Sequence, residues 1–169
     1  MQRILVIGSP GSGKSTLATE LGRRTALPVI HLDQQYWRAG WVEPPADEWR
    51  GKLTELLAGE RWIMDGNYGG SLDVRLARAD TVIDLRLRAW LCIWRLFRRV
   101  VGSWRRVRSD MAPGCPEKFD FEFFRYTALF PFGPRKRTDA RLATFTGTYI
   151  ALRSRAEVTR FLASFDAGR

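Results

Sequence analysis

The sequence predicts an α/β fold built on a doubly wound, mostly parallel β-sheet. Three observations support this prediction. Residues 8–15 have the phosphate-binding loop pattern G-x-x-x-x-G-K-[ST], and they lie between an apolar run and a helical pattern. Strand patterns alternate with helical patterns along the chain. The length of 169 residues suits one domain with a substantial core, so we expect residues 1–169 to form a single domain.

The predicted elements follow one another as a parallel sheet requires. Short apolar, β-branched runs predict strands at 3–7, 28–32, 61–64, 81–85 and 148–152. Helical periodicity predicts helices over 15–25, 47–58, 88–101, 117–129 and 156–165. Ser154 followed by Glu157 is a capping-box signature for the last helix. Glycine and proline mark two excursions from the core, an insertion at about 33–60 and a lid-like segment at about 102–138.

The composition indicates a basic, globular protein. No apolar run is long enough for a membrane helix or a signal peptide, so we expect a cytoplasmic protein without a membrane partner. The 28 Lys and Arg residues exceed the 18 Asp and Glu residues, which suits polyphosphates or nucleic acid, or simply a solvated basic surface. Cys92 and Cys115 lack zinc-ligand spacing and are expected as free thiols. His31 is the only histidine, which argues against a Ser-His-Asp triad.

The glycine-rich loop predicts a site for a nucleoside triphosphate. Its glycines let backbone N–H groups approach phosphate oxygens, and the following helix N-terminus favours an anion. Lys14 is suited to reach the β- and γ-phosphates, and the Ser15 hydroxyl is suited to ligate Mg²⁺. The predicted nucleotide-binding residues are Gly8, Ser9, Pro10, Gly11, Ser12, Gly13, Lys14, Ser15 and Thr16.

Two aspartates follow predicted strands. Asp65 comes after the third strand, where it would orient Mg²⁺ or its water shell, or else form an Asp-Gly turn. Asp33 follows the second strand and would project from the carboxyl edge of the sheet, where ligands of open α/β folds bind. It would contact the acceptor, act as a base toward a hydroxyl, hold a Mg²⁺-bound water or cap a turn. The nearby Trp37, Trp41 and Trp49 belong to an acceptor pocket or to the core.

An arginine-rich segment follows the fourth predicted strand. Eight arginines and no acidic residue occur between positions 86 and 108, and positions 88, 95, 99 and 106 share one helical stripe. Such a stripe suits a triphosphate, with a solvated face or a patch for nucleic acid or anionic membrane as alternatives. The apolar residues of the same helix are expected to bury against the sheet. They are Trp90, Ile93, Trp94, Phe97 and Val101.

These motifs resemble those of nucleoside monophosphate kinases. The loop with Pro10, the pair Asp65-Gly66 and the spacing Arg95-x-x-x-Arg99 are similar to adenylate kinases. The segments 31–33, 65–70 and 114–117, with Trp41 and Trp62, more closely resemble the adenylate-kinase-like proteins often named DNA topology modulation proteins. This resemblance covers nearly the whole chain. It implies the three-layer sandwich of P-loop NTPases with strand order 2-3-1-4-5, ATP and Mg²⁺ as ligands, and a mobile lid.

The chain departs from adenylate kinases on the acceptor side. Those enzymes follow Asp-Gly with an aromatic residue, proline and an arginine that holds the acceptor phosphate. Here Asn67-Tyr68-Gly69 intervenes, and the next arginines are Arg75 and Arg78. Lid cysteines for zinc are also missing from the sequence. Phosphoryl transfer is therefore better supported than AMP as the acceptor.

The combined prediction is an ATP- and Mg²⁺-dependent phosphotransferase that acts on a small acceptor, preferably a nucleotide. The predicted catalytic residues are Lys14, Asp33, Arg95 and Arg99, the metal ligands are Ser15 and Asp65, and one or more of Arg105, Arg106 and Arg108 would close over the transferring group. A hydroxyl acceptor would need a general base, for which Asp33 is the candidate. The rival prediction is an ATP-switched regulator that binds nucleic acid through residues 86–108.

Overall fold

The computed structural model describes residues 1–166 and contains, within them, a five-stranded parallel sheet. The strands are β1 (Arg3–Gly8), β2 (Val29–His31), β3 (Trp62–Asp65), β4 (Thr81–Leu85) and β5 (Thr148–Leu152). Their order in the sheet is β2-β3-β1-β4-β5, and every pair is parallel. Both the five strands and the strand order are as predicted. Each observed strand lies within one or two residues of its expected bounds.

The strand register brings the carboxyl ends of β1, β2 and β3 together. β1 lies between β3 and β4, with Val6 opposite Asp65 and Gly8 opposite Leu85. On the other side of β3, His31 is opposite the same Asp65. Ligands of open parallel sheets bind beyond this edge. The register therefore sets Asp65 between the end of β2 and the loop that follows β1.

Helices cover both faces of the sheet. They are α1 (Lys14–Thr25), α2 (Leu32–Tyr36), α3 (Ala46–Ala58), α4 (Leu72–Arg78), α5 (Ala89–Gly102), α6 (Phe121–Leu129), α7 (Pro134–Leu142) and α8 (Arg155–Ala163). One buried cluster packs Leu21 of α1 and partly buried side chains of α8 against Ile83. The other packs Leu53 of α3 and Leu72 of α4 against Val82. Neighbouring strand residues point to opposite faces, so the fold is a three-layer sandwich, as expected.

Helices α2, α4 and α7 were not predicted. They have five, seven and nine residues, which is short for a periodic pattern to stand out. Helix α7 also has no buried residue, so its sequence shows no apolar stripe. Between residues 1 and 166, no helix is both long enough and apolar enough to cross a bilayer.

Helix α6 begins four residues later than predicted. The expected start at Glu117 instead forms a β-bridge with Trp104. The Asp120 side chain then accepts a hydrogen bond from the Phe123 N–H and caps the helix. The predicted capping box of α8 is confirmed at the N-cap, because the Ser154 hydroxyl accepts from the Glu157 N–H, while the Glu157 carboxylate accepts from the Arg153 N–H, one residue before the N-cap.

The tryptophans of the insertion divide between two environments. Trp49 of α3 is buried in the core beside the sheet. Trp37 and Trp41 pack instead around Met111 and the buried free thiol of Cys115. The insertion and the lid-like segment are therefore joined by a small apolar cluster of their own.

The predicted burial of helix α5 is wrong. Its buried residues are Cys92, Leu96 and Val100. The expected core residues are instead exposed, with fractions of 63% for Trp90, 53% for Trp94, 46% for Phe97 and 62% for Val101, while Ile93 is half-buried. The helical period was correct, but the inward direction was not. Periodicity shows which residues share a face of a helix, and it does not show which face meets the protein.

The predicted arginine stripe is also shorter than expected. Arg88 precedes α5 as its N-cap, and the helix ends at Gly102, so Arg106 is not on it. Arg95 and Arg99 are the two stripe residues within the helix. Both flank the buried side of α5: Arg95 contacts the phosphate-binding loop, and Arg99 pairs with Glu117 close enough for its charge to act on Lys14.

A buried ionic cluster attaches α7 to the sheet. Asp84 of β4 is fully buried and accepts hydrogen bonds from Arg135 Nη1 and Nη2, at 2.8 and 2.5 Å. The Tyr149 hydroxyl and the Arg86 Nε also donate to it, at 2.6 and 3.0 Å. Burial alone would raise the pKa of Asp84, but the hydrogen bonds from Arg135 and Tyr149 outweigh burial, and the pKa lies below its ordinary value. The cluster is therefore ionised in the folded protein.

We expect Asp84→Asn to lower the free energy of unfolding at pH 7 by about 3 kcal/mol, because Arg135, Arg86 and Tyr149 lose the fully buried charge to which they donate, although Asp139 still pairs with Arg135. A carboxyl with a lowered folded pKa stabilises the fold above its unfolded pKa of about 4 and loses that contribution as the pH falls through the folded value. Urea denaturation between pH 7 and pH 2 should therefore show the difference between wild type and variant shrinking in acid. Asp73→Asn, on the exposed surface of α4, is the control. A difference of constant size at every pH would contradict this account.

Candidate active site

The phosphate-binding loop runs from the end of β1 to the first turn of α1. Gly8, Gly11 and Gly13 have positive φ angles, and Gly13 is the N-cap of α1. A Cβ at Gly8 would lie 2.6 Å from the Leu85 carbonyl oxygen, and one at Gly11 would lie 2.3 Å from the Cys92 carbonyl oxygen. Glycine is thus required here by the backbones of β4 and α5 as well as by the turn of the loop.

Lys14 spans the inside of this loop. Its Nζ donates to the carbonyl oxygens of Gly8 and Ser9, both at 3.1 Å. Burial lowers the pKa of Lys14, and the nearby carboxylates of Asp65 and Asp33 act in the opposite direction. The ammonium group therefore lies among the loop carbonyls and two acidic side chains.

Other residues of the predicted nucleotide site lie along the same loop. The buried Ser12 hydroxyl has no hydrogen-bond partner within residues 1–166. Pro10 lies in the turn, and Thr16 is exposed on the first turn of α1. A buried hydroxyl without a partner is costly. A phosphate oxygen would satisfy it, so the loop fits the triphosphate that the motif predicts.

Asp65 joins the loop to the end of β2. The Ser15 hydroxyl donates to Asp65 Oδ2 at 2.7 Å, and a 2.5 Å hydrogen bond joins Asp65 Oδ1 to His31 Nδ1. The hydrogen bond with Asp65 raises the pKa of His31. Sequence reasoning set His31 aside, although its position beside Asp33 at the end of a strand was a usable signal.

Ser15 and Asp65 offer the hard oxygen ligands that Mg²⁺ prefers. Among the described residues, no cluster of three or more His, Cys, Asp or Glu side chains is arranged to hold a metal ion. Magnesium sites of nucleotide enzymes use one or two protein oxygens together with phosphate oxygens and water. The pair therefore fits a metal that arrives with a nucleotide.

Asp33 lies in the first turn of α2, on the side of Asp65 away from β1. Its Oδ1 accepts a 2.7 Å hydrogen bond from the Tyr68 hydroxyl. Burial raises the pKa of Asp33, while Tyr68 and the charge of Lys14 oppose this effect. Tyr68 has a positive φ of 31°, which is strained for a residue with a side chain. Its ring packs against Tyr36 and Trp49, with centroids 4.7 and 5.6 Å away.

Asn67 connects the segment after β3 to the phosphate-binding loop. Its Nδ2 donates to the Gly8 carbonyl oxygen at 2.8 Å, and its Oδ1 accepts from the Gly8 N–H at 3.2 Å. Burial raises the pKa of Tyr68, so the next residue remains a hydrogen-bond donor to Asp33. The successive side chains of Asn67 and Tyr68 thus hold the phosphate-binding loop and Asp33, respectively. The sequence pattern includes both residues in a motif but predicts no role for either.

Arg75 of α4 holds this segment in place. It is fully buried, and its guanidinium donates to the carbonyl oxygens of Gly66 and Tyr68, both at 2.9 Å, and to that of Asn67. Burial lowers its pKa to about 10. Arg75 is the first arginine after Asp65-Gly66, but its donors are committed to backbone carbonyls.

The lid-side arginines approach from α5 and the segment after it. Arg95 Nη1 donates to the Ser12 carbonyl oxygen at 3.0 Å. Arg99 and Arg108 each lie 3.0 Å from a different carboxylate oxygen of the buried Glu117. Burial, together with the charge of Arg108, lowers the pKa of Arg99. Glu117 is thus the shared counter-ion of two predicted site arginines, a role that sequence reasoning missed.

The remaining predicted arginines lie elsewhere. Arg105 and Arg106 are exposed on the segment after α5, where their backbone groups bond to Glu117. The structure thus brings Lys14, Ser15, Asp33, Asp65, Arg95 and Arg99 to one edge of the sheet. It leaves Arg105 and Arg106 at the surface.

Comparison with known proteins bears on the fold. No protein-family model matches this sequence, and no curated protein matches it either. Shikimate kinase from Acinetobacter baumannii in complex with shikimate is similar with a TM-score of 0.59 and 14% identity, over 100% of this chain and 95% of that one. Shikimate kinase from Bacteroides thetaiotaomicron is similar with a TM-score of 0.54 and 17% identity, over 98% of this chain and 96% of that one. A putative kinase from Chloroflexus aurantiacus is similar with a TM-score of 0.54 and 13% identity, over 99% of this chain and 98% of that one.

The chain has the fold of P-loop kinases. The likeness extends over the whole sheet and its helices, and the strand order agrees with it. The closer resemblance to adenylate kinases and to DNA topology modulation proteins stays a prediction.

The commitment of Arg75 to backbone carbonyls gives a testable expectation. Arg75→Met should lower the free energy of unfolding by at least about 3 kcal/mol, because several buried carbonyl oxygens lose their donors. Arg78→Met, on the same helix, removes one donor to a carbonyl oxygen and one ion pair with Glu60, and should cost only about 1 kcal/mol. Chemical denaturation measures both. If Arg75→Met kept its stability and lost only affinity for a phosphorylated ligand, the residue would be a ligand contact instead.

Proposed function

We propose that this chain is an ATP- and Mg²⁺-dependent phosphotransferase that phosphorylates a hydroxyl group of a small acceptor. The observation that carries the proposal is the position of Asp33. Its half-buried carboxylate lies at the end of β2, within the electrostatic influence of Lys14 and beside the phosphate-binding loop. A carboxylate so placed can accept the proton of a hydroxyl that attacks the γ-phosphate.

The donor half of the site is the loop at residues 8–15. Its backbone N–H groups and the Ser12 hydroxyl would contact the phosphates. Lys14 would exchange the Gly8 and Ser9 carbonyl oxygens for phosphate oxygens. Arg95 and Arg99, which already approach the loop, would stabilise the charge on the transferring group.

Ser15 and Asp65 would hold Mg²⁺, with the nucleotide phosphates completing its coordination. The metal ion neutralises phosphate charge and orients the triphosphate when it is bound. Asp65 keeps its orientation through the hydrogen bond to His31. Glu117 sets the direction of Arg99 in the same way from the lid side.

The acceptor side favours a hydroxyl over a phosphate group. A phosphorylated acceptor needs free cations near Asp33. The donors of Arg75 are occupied by backbone carbonyls, and Arg108 is paired with Glu117 and Asp110. The Tyr68 hydroxyl bonds to Asp33, and the charges of Lys14 and Arg108 act on it from nearby, so this side suits a hydroxylated acceptor without a phosphate group.

An open groove lies next to Asp33 along the chain, although Asp33 itself does not line it. The groove runs between α2 and residues 107–114, with a volume of about 640 Å³. Its polar lining includes Gln34, Gln35, Arg108 and Ser109. Small-molecule sites are commonly about 300–1,000 Å³. The shikimate kinases that share the fold are named for a hydroxylated acceptor, which is consistent with this choice.

In the proposed reaction the acceptor oxygen attacks the γ-phosphorus in line with the leaving ADP. As the new O–P bond forms, the acceptor proton passes to Asp33 Oδ2, because Oδ1 is engaged by the Tyr68 hydroxyl. The raised pKa of Asp33 makes it a better proton acceptor than an exposed carboxylate. Lys14, Arg95 and Arg99 stabilise the charge that moves onto the phosphate oxygens.

The test is an ATP-consumption screen with hydroxylated acids, nucleosides and nucleoside monophosphates as acceptors. Asp33→Asn should reduce kcat at least about 100-fold with the active acceptor, because the general base is lost. ATP affinity, measured by calorimetry, should change less than about threefold, because Asp33 does not contact the donor phosphates.

Two matched variants separate the roles in this experiment. Tyr68→Phe removes one hydrogen bond to Asp33 and keeps the ring, so it should reduce kcat by only about tenfold. Lys14→Ala should remove ATP binding itself. Turnover with nucleoside monophosphates alone, undiminished in Asp33→Asn, would replace the hydroxyl kinase with a nucleotide kinase.

A further inference from the structure

The outward face of α5 carries large apolar side chains in helical succession. Trp90, Trp94, Phe97 and Val101 are spaced by four, three and four residues, and each is roughly half exposed or more. Trp94 and Phe97 stack on each other with centroids 6.1 Å apart. The opposite side of the helix carries the buried residues and the two site arginines. Helix α5 is therefore apolar outward and partly charged inward, the reverse of an ordinary surface helix.

The neighbouring helix also exposes large apolar side chains. Helix α6 packs against α5. Its exposed apolar side chains are Phe121 (70%), Phe123 (37%), Tyr126 (40%) and Leu129 (51%). We call the eight exposed side chains of α5 and α6 the aromatic face.

The apolar area that the two packed helices expose, summed over the eight side chains, is large for a monomer. With about 150–250 Å² for each aromatic side chain, the exposed fractions correspond to about 900 Å² in all. The largest apolar patch of a typical monomer is about 300–600 Å², whereas each partner of a standard interface buries about 800 Å². The face is thus of the size that a stable dimer needs.

The charges beside the aromatic face are mostly basic. Arg88, Arg98, Arg105 and Arg106 are exposed on or beside α5, and Arg125 is exposed on α6 near Glu122. Across a two-fold axis, each Glu122 carboxylate would meet arginine side chains of the second copy, and such reciprocal contacts make up an isologous interface. A second copy of this chain thus supplies a partner for Glu122 that an anionic bilayer or a nucleic acid does not.

We propose that the aromatic face is the interface of a homodimer of this chain. Helices α5 and α6 of one copy would pack against the same two helices of the second copy. The tryptophan and phenylalanine side chains would be buried between them. Because the same α5 carries Arg95 and Arg99 on its inward side, the interface would also fix the helix that delivers these arginines to the phosphate-binding loop.

Sedimentation velocity from about 1 to 100 μM tests the proposal, since interfaces of this size have dissociation constants in or below this range. Wild type should sediment as a dimer. Trp94→Glu combined with Phe97→Glu should raise the dissociation constant at least about 100-fold, because central aromatic residues dominate interface energy. The matched control is Val42→Glu combined with Val74→Glu, which changes two valines that are each 53% exposed outside the aromatic face.

Cross-linking adds a readout that does not depend on a destabilising charge. Trp94→Cys or Val101→Cys should give a disulfide-linked dimer on mild oxidation, while Val74→Cys should not. The native cysteines are both buried and would not interfere. Unfolding curves and ATP binding of every variant show that the fold and the donor site are intact, so the result is independent of the proposed catalytic activity.

Three results would overturn the proposal. The first is a wild-type monomer at about 100 μM, since a standard interface would hold the copies together there. The second is a dimer whose dissociation constant is unchanged by the Trp94 and Phe97 substitutions. The third is a monomer that binds phosphatidylcholine–phosphatidylglycerol vesicles or an oligothymidylate and loses that binding in the double variant.

Discussion

The arrangement of the site depends on the buried guanidinium of Arg75, which holds the backbone of the segment after β3 in place. By donating to successive carbonyl oxygens of residues 66–68, it fixes a segment whose backbone is otherwise strained at Tyr68. Within that segment, the Asn67 side chain hydrogen-bonds to both the N–H and the C=O of Gly8. The Tyr68 hydroxyl donates a hydrogen bond to Asp33. The donor loop after β1 and the acidic residue after β2 are thus held in one arrangement by a single side chain that contacts neither.

Charge at the site is balanced locally, in spite of a strongly basic composition. The buried carboxylates of Asp65 and Glu117 and the half-buried carboxylate of Asp33 lie among the cationic groups of the phosphate-binding loop and the lid side. Each carboxylate has a named donor, and burial shifts the pKa of Asp33 upward and that of Lys14 downward. A triphosphate with its metal ion would add negative charge next to cations whose present partners are loop carbonyls and Glu117. Exchange of these partners is a physical route from a free to a bound site.

Helix α5 shows how site requirements override the ordinary rule for amphipathic helices. Its inward side carries Arg95 and Arg99 because the phosphate-binding loop lies there, and its buried packing uses the small and medium side chains of Cys92, Leu96 and Val100. The large aromatic residues are displaced outward as a result. Exposed tryptophans on such a helix therefore follow from the geometry of the site, and the proposed dimer gives them a partner.

The sequence by itself determined the local features: the loop at residues 8–15, the five strands, most of the long helices and the capping box at Ser154. These features depend on short-range patterns and on residue types at fixed spacing, and both can be read directly from the sequence. The short helices α2, α4 and α7 and the roles of His31, Asn67, Tyr68 and Glu117 came only from the tertiary structure. Each of these side chains acts through a partner distant in sequence, and no local pattern encodes that pairing. The same reason explains why the buried face of α5 was not predicted. The sequence showed the helical period of α5, but the phosphate-binding loop against which it packs decided which face is buried.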